Sequence, residues 1–399
     1  MSSLPSVEID YEMLAKKARQ HIEVLAEHIG ARPAGSIQEQ QACDYLAGIL
    51  NQLGYEIELQ PIAFAPYSPL SLPFLLTALV LGASGWLIPI MPWLVIWLPL
   101  WMMILPQASR TWVQQRKPSK ASANLFAYRP NKVNAIPKII LSAHIDSAAA
   151  LPFRNPLILK GYSQAMDIIQ RIAWMVAALA LLQWIGFSAG NAFVIAVAIL
   201  ASLAGFGLLV TQLLTISQYQ KSKTGNLSAS NSPGANDNAS GVGVLLALAE
   251  AFAQGEVAEQ VALLFTSAEE SGLYGARAFC ANHENWRHNT FVICLDMVGR
   301  GEDLYYVQRE GIFKPLYTDQ TINQMLLQAN PHLKGVWYTL RSGDFAAFCR
   351  AGFPVTSLQS GRRGLVDWRY HSVYDTADQI ETPALQTVLE TIGKLVINY

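Results

Sequence analysis

The sequence predicts an α/β protein with a mainly parallel central sheet, helices on both faces, and four transmembrane helices interrupting it. Three observations carry that expectation. Apolar strand-like runs alternate with helical patterns, the order of a sheet built from crossover units. Two long blocks contain no charged residue. Charged residues are 14% of the 399 and hydrophobic ones 52%, whereas soluble domains are about a quarter charged.

Residues 7–53 carry apolar positions at helical spacing and read as helical. "YEIELQPIAF" alternates as a strand, and "ANLFAYRP" and "KIILSAHID" read as two more. "ASGVGVLLALAEAFAQ" is helical, "VALLFTSA" a strand, "GLYGARAFCANH" a helix and "FVICLDMVG" a strand. "RSGDFAAFCRAGFPVTSLQ" reads as helix then strand, and "ETPALQTVLETIGKLVINY" as a final helix. The Ser/Asn/Gly-rich stretch "KSKTGNLSASNSPGANDNASG" must be a loop.

The first uncharged block, Leu70 to Gln107, fits two crossings of about 18–20 residues each, reversing near Pro89 to Pro92. Its Trp86, Trp93, Trp97 and Trp101 suit interfacial anchoring or helix packing. The second block, Ile172 to Ile216, turns near Ser188 to Asn191, and Ala201, Ala204 and Gly205 would allow close helix contact. A soluble core helix of that length would show a polar face, and these segments show none. The predicted organisation is a discontinuous soluble domain (1–67, 110–171 and 217–399) with transmembrane hairpins at 68–109 and 172–216.

Two hairpins return every soluble piece to one side. Arg110, Arg116, Lys117, Lys120, Lys160, Arg171, Lys221 and Lys223 lie near the helix ends, and the short hairpin loops carry no positive charge. The positive-inside rule therefore places the soluble domain on the cytoplasmic side of a multi-pass membrane protein. The N-terminus is polar and acidic and lacks the pattern of a signal peptide. A net charge of −1 with no basic stripe gives no nucleic-acid partner. Cys43, Cys280, Cys294 and Cys349 are scattered without a C-x-x-C pair, so neither a thiolate zinc site nor a disulfide framework is indicated.

Five short motifs bring His and acidic residues to strand ends: "LSAHIDSA" (His144, Asp146), "GANDNASG" (Asp237), "TSAEESG" (Glu269, Glu270), "CLDMVG" (Asp296) and "YHSVYDTAD" (His371). Singly, each has an ordinary structural explanation, such as a turn-forming Asp or a solvated Glu pair. Asp296 is harder to dismiss, since an unpaired carboxylate after an apolar strand is costly to desolvate. Together they cluster where ligand sites of open α/β sheets lie, at the carboxyl ends of strands. Imidazoles and carboxylates without thiolate suit a catalytic zinc-type site. Two acids just past a strand end can turn toward one cleft, one to ligate metal and one to act as base.

In this order the motifs resemble the co-catalytic zinc exopeptidase family that includes bacterial leucyl aminopeptidases, aminopeptidase Y and glutamate carboxypeptidase. The resemblance covers roughly residues 7–67 and 121–399 less the second hairpin, and "ANLFA" at Asn124 resembles the family's strand before H-x-D. It implies a sheet of the zinc-exopeptidase type, a peptide substrate and two Zn2+, with other divalent metals as substitutes. His144 and Asp296 would hold one zinc, Glu270 and His371 the other, and Asp237 would bridge them. Glu269 would be the general base and acid, and Asp146 would orient His144 from behind. A cis peptide is implied after Asp237.

Two departures stand out. The second hairpin separates His144 from Asp237, where the family has a short loop. In "RSGDFAAF", Phe345 follows Asp344 where relatives often carry Ser-Asp-His. Asp344 is a candidate pocket residue, with a first-turn helix acid as the alternative, and Tyr370 and Arg362 are candidate rim residues. The expected activity is aminopeptidase action on short peptides by a membrane-integrated enzyme in contact with the lipid bilayer. The alternatives are a carboxypeptidase, a glutaminyl-cyclase-like enzyme, or a non-enzymatic membrane binding protein. The complete two-metal ligand set argues against a cyclase, whose relatives typically use one zinc. The intact Glu269 and ligand set argue against a non-enzyme.

Overall fold

The computed structural model describes residues 9–66, 72–102, 104, 116–129, 136–187, 190–222, 230–253, 260–311, 315–338, 342–361 and 367–398. The chain forms two compact units. Unit 1 is Met1–Pro66, Pro118–Ala149 and Asn231–Tyr399; unit 2 is Tyr67–Lys117 and Ala150–Ser230. The helices are α1 (Tyr11–Glu23), α2 (Ile37–Gln52), α3 (Leu72–Leu87), α4 (Pro92–Val95), α5 (Pro156–Trp184), α6 (Asn191–Ser222), α7 (Ser240–Phe252), α8 (Tyr274–Asn282), α9 (Gln320–Ala329), α10 (Asp344–Ala351) and α11 (Thr382–Asn398). The strands are β1 (Glu56–Phe64), β2 (Lys120–Tyr128), β3 (Ile139–His144), β4 (Val261–Thr266), β5 (Phe291–Leu295), β6 (Asp303–Glu310), β7 (Leu316–Tyr317), β8 (Lys334–Tyr338) and β9 (Val355–Gly361).

In unit 1 the strands form one sheet in the order β1-β2-β4-β3-β5-β9-β6-β7, with β8 on β6. The four central strands β4, β3, β5 and β9 are parallel. The flanks are antiparallel, where β1 meets β2, β2 meets β4, and β6 meets β9 and β7. The sheet is thus mixed rather than mainly parallel. The link from Leu295 to Asp303 explains one flank: it is shorter than the crossover of about a dozen residues that parallel neighbours need, so β6 turns back.

Central strands are buried on both sides, so they read as continuous apolar runs. Val261, Leu263 and Phe265 of β4 face the core that includes α1, α7 and α11. Ala262 and Leu264 face the core that includes α8 and α10. The expected helical stretch 7–53 is two helices, broken where Gly30 adopts φ 83°. Ser36 restarts it: its Oγ accepts the Glu39 N–H at 3.1 Å, and Glu39 reaches back to the Gly35 N–H at 2.6 Å.

Each excursion from unit 1 begins and ends at a paired neck. Phe64 lies opposite Lys120 at the end of the β1–β2 ladder, where the Ser119 N–H donates to the Phe64 carbonyl at 3.0 Å. Ala149 pairs with Asn231 in an isolated antiparallel bridge.

Within unit 2, α3 packs on α6 through small residues. A Cβ on Gly85 would meet Ala198 Cα at 2.3 Å, and one on Gly205 would meet Gly82 Cα at 2.6 Å. The same crossing carries hydrogen bonds from Trp86 Nε1 to Ser202 Oγ and from Ser202 Oγ to the Gly82 carbonyl, each 2.9 Å. Among the described residues one helix is long and apolar enough to cross a membrane, Asn191–Gln218. The four expected are not found among the described residues. The apolar stretches Leu75–Leu87, Pro92–Met102 and Arg171–Trp184 are shorter. Within the stretch Pro92–Met102 the helix breaks after Val95, where the ring of Pro99 would clash with the carbonyl four residues back. The expected boundary at 172 falls inside α5, which carries Lys160 and Arg171 ahead of that point. The end of the first hairpin, 105–109, and the start of the second hairpin's expected turn, Ser188 and Ala189, lie outside the described residues.

Candidate metal centre

The site gathers at the carboxyl ends of the parallel strands. β3 ends in His144, β4 runs into Glu269 and Glu270, and β5 leads directly to Asp296. Asp237 comes from the turn before α7, and its peptide bond to Asn238 is cis. His371 comes from the segment before α11.

His144 Nε2 lies 3.2 Å from Asp237 Oδ1 and 3.8 Å from Asp296 Oδ1. His371 Nε2 lies 3.2 Å from Asp237 Oδ2 and 3.3 Å from Glu270 Oε1. Asp237 therefore turns one oxygen to each imidazole. Three groups have ligand atoms within 4.8 Å of one another: His144–Asp237–Asp296, Asp237–Glu270–His371, and His144–Glu269–Glu270. The first two are the sets expected for two ions. Glu270 Oε1, Asp296 Oδ1 and His371 Nε2 are buried yet form no hydrogen bond among the described residues. Buried polar atoms are normally paired, so these orphans, converging with N and O donors, fit a divalent metal.

The electrostatics follow from crowding. Burial alone would lower the His144 and His371 imidazoles, but the surrounding carboxylates hold both well above their ordinary value. Burial pushes Glu269 well above the usual carboxylate range, against the pull of His144. Burial also raises Glu270 despite His371. Asp237 goes the other way: burial opposes it, but the two imidazoles hold it below the ordinary value.

The backbone around these groups is tightly held. His144 Nδ1 lies 3.0 Å from the Asp146 carbonyl oxygen. The tautomer with hydrogen on Nδ1 leaves the Nε2 lone pair facing Asp237 and Asp296. The Asp146 carboxylate does something else. At 3.6 Å it is beyond hydrogen-bond range of His144 Nδ1, and it accepts the N–H groups of Glu269 and Glu270 at 3.1 and 3.2 Å. Asn124 closes the same loop from behind, accepting the Ser267 N–H and donating to the Gly275 carbonyl. Ala268, Met297 and His371 adopt φ of 53°, 58° and 50°. Such left-handed non-glycine backbone gathers at functional sites.

Several supports were not marked by the sequence reading. Asp375 accepts the N–H groups of Asn236 and Asp237 at 2.9 and 3.0 Å, and Arg300 binds it at 2.6 Å. Asn238 donates to the Leu295 carbonyl and accepts the Met297 N–H, so it fastens the Asp237 turn to the Asp296 strand. Gln359 Nε2 reaches Asp296 Oδ2 at 3.3 Å. Asp375 stands in "YHSVYDTAD", whose final acids were the available signal.

Asp344, at the start of α10, is buried and accepts the Thr266 hydroxyl, and burial pushes its carboxyl up to about 7. Tyr370 stacks on His371 with ring centroids 3.8 Å apart. Arg362 lies outside the described residues.

A family match, taken with the fold, supports a metallopeptidase. Residues 222–396 match Peptidase family M28. The fold is shared with a leucine aminopeptidase precursor from Bacteroides thetaiotaomicron, at 17% identity, TM-score 0.55, and coverage of 96% of this chain and 97% of that one. It is shared also with a zinc aminopeptidase from Bacillus subtilis, at 15% identity, TM-score 0.57 and coverage of 96% and 94%. A Bacteroides thetaiotaomicron glutaminyl cyclase bound to N-acetylhistamine matches at 17% identity, TM-score 0.56 and coverage of 96% and 98%. Among curated proteins, none matches the chain.

Proposed function

We propose that the protein is a two-zinc aminopeptidase that removes N-terminal residues from short peptides and is held in a bilayer by unit 2. The observation that carries this reading is the division of Asp237, with Oδ1 toward His144 and Oδ2 toward His371. A carboxylate divided in this way suits a bridge between two ions. His144 and Asp296 would hold one, Glu270 and His371 the other.

Bound divalent ions supply acidification of water and polarisation of the peptide carbonyl. The protein supplies proton transfer and position. Glu269 takes the proton of the attacking water and returns it to the leaving amine. Its carboxyl, raised by burial, suits a group that must keep a proton between those two steps. Asp146 fixes the backbone of Glu269 and Glu270, so base and ligand hold their separation. Asp375, braced by Arg300, fixes Asp237. Asp344 and Tyr370 are the pocket and rim residues we assign to substrate contact.

Membrane integration rests on unit 2. The Asn191–Gln218 helix has only 28% of its most apolar window buried. Trp86, Trp93, Trp97 and Trp101 are exposed. Exposed apolar surface of that extent requires a cover, and lipid is the cover we assign. Because each excursion leaves and returns at a paired neck, crossings come in even numbers. Arg116, Lys117 and Lys120 beside the first neck favour the cytoplasmic side for unit 1.

The test is a zinc-loaded assay on peptides with free, acetylated and glutaminyl N-termini. Cleavage of the free peptides alone is expected. Equal cleavage of acetylated peptides would sink the aminopeptidase reading, and cyclisation without cleavage would install the cyclase. For unit 2, the protein should stay with membranes through alkaline carbonate extraction.

A further inference from the structure

Arg32 is 1% exposed, yet among the described residues no carboxylate hydrogen-bonds its guanidinium. Its acceptors are all backbone carbonyls. Nε donates to Ile145 at 3.1 Å; Nη1 donates to Leu25, Gly30 and Pro233 at 2.7, 2.9 and 2.8 Å; Nη2 donates to Gly234 at 3.1 Å. The Arg32 main chain joins in. Its N–H donates to Ser147 Oγ at 2.9 Å, its carbonyl accepts the Ser147 N–H at 3.0 Å, and Ser147 Oγ donates onward to the Ser232 carbonyl at 2.9 Å.

These acceptors have a pattern. Ile145 sits between His144 and Asp146, and Pro233 and Gly234 open the turn that carries Asp237. The chain between these two segments leaves unit 1 for unit 2. Covalent connectivity therefore does not set the distance from His144 to Asp237; the Ala149–Asn231 bridge closes the neck farther out, and Arg32 bonds the segments nearer the two residues. A planar fork of five N–H donors can hold several carbonyls at fixed angles. The turn is also closed against it: a Cβ on Gly234 would meet Ser147 Cβ at 2.7 Å and Arg32 Nη2 at 3.2 Å.

We propose that Arg32 is a positioning residue of the metal centre. Its guanidinium ties the strand end bearing His144 to the turn bearing Asp237 across the point where unit 2 is inserted. The proposal rests on the metal reading above. Among the described residues Arg32 makes no hydrogen bond to a proposed ligand side chain, and it acts through the two backbones it joins.

The experiment uses the full chain. Zinc affinity of wild type, Arg32→Lys and Arg32→Ala is measured by chelator competition, with thermal melting to confirm folding. Folded Arg32→Ala should bind zinc about 10- to 100-fold more weakly, the usual cost of losing an outer-shell partner. Arg32→Lys should fall between it and wild type. Added guanidinium chloride at non-denaturing concentration should restore part of the affinity of Arg32→Ala, and sodium chloride at equal strength should not. Turnover should fall with little change in KM. Wild-type zinc affinity in folded Arg32→Ala would overturn the proposal. Should Arg32→Ala not fold, Arg32→Lys, which cannot reproduce the five carbonyl contacts of the guanidinium, is read in its place, and wild-type zinc affinity there would overturn the proposal equally. Wild type that binds no zinc would instead sink the metal reading.

Discussion

Asp146 accepts the backbone N–H of Glu269 through Oδ1 at 3.1 Å, while its other oxygen takes the N–H of Glu270 at 3.2 Å. One carboxylate thus sets the backbone of both the proposed base and a proposed ligand. Asp146→Asn leaves one acceptor oxygen and turns an amide N–H₂ toward the second N–H. Zinc affinity should fall about 10- to 100-fold, read by chelator competition. His144 should be oriented as before, because its Nδ1 partner is the Asp146 main-chain carbonyl.

Glu269→Gln keeps shape and removes the proton shuttle. Turnover should drop about 10²- to 10⁴-fold, while metal analysis finds the same zinc content as in wild type. Retained turnover at full zinc loading would take Glu269 out of the mechanism.

Glu39 lies behind the same loop, 2% exposed, accepting from Gly35, Ser122 and Ser267. Burial raises it from 4.5 to about 7. A raised carboxyl means the folded state holds the proton longer than the unfolded chain. Stability is therefore fully present below 4.5, declines as pH rises, and is lost above about 7. The shift corresponds to about 3 kcal/mol. Denaturant unfolding of Glu39→Gln should show a weaker decline between pH 4.5 and 7 than wild type. Equal declines would locate the titration elsewhere.

Gly205 meets Gly82 with no room for a side chain. Gly205→Leu should force α3 and α6 apart and break the Trp86–Ser202 hydrogen bond. The expected result is a lower melting temperature of unit 2 in detergent and a changed Trp emission. Peptide cleavage by unit 1 under stabilising conditions should survive.

The central sheet was legible because β3, β4 and β5 are buried on both faces and so advertise themselves as apolar runs. His144, Glu269, Glu270 and Asp296 were legible because they end or follow those runs, whereas Asp237 and His371 stand off the strands and were marked only by their motifs. β6 to β8 were not anticipated. "DLYYVQRE" and "KGVWY" are short and mixed, and only pairing at long range makes strands of them. Strand direction was misjudged for the same reason, since it depends on the length of a link rather than on any residue in it. Arg32 escaped because its partners are backbone carbonyls, which no motif marks. Asp146 was singled out as His144's support, but only side-chain geometry could show its carboxylate turned to Glu269 and Glu270.

The closed necks at Phe64–Lys120 and Ala149–Asn231 bear on how such a protein can change over time. The entropic cost of closing a loop grows only slowly with its length. Once a ladder pins both ends, the segment beyond can be lengthened, replaced or trimmed without shifting the strands below it. The two excursions are in this sense sockets. A short turn engineered across either neck would convert the chain into a minimal enzyme, and a foreign helical hairpin grafted there would inherit a catalytic unit already in register.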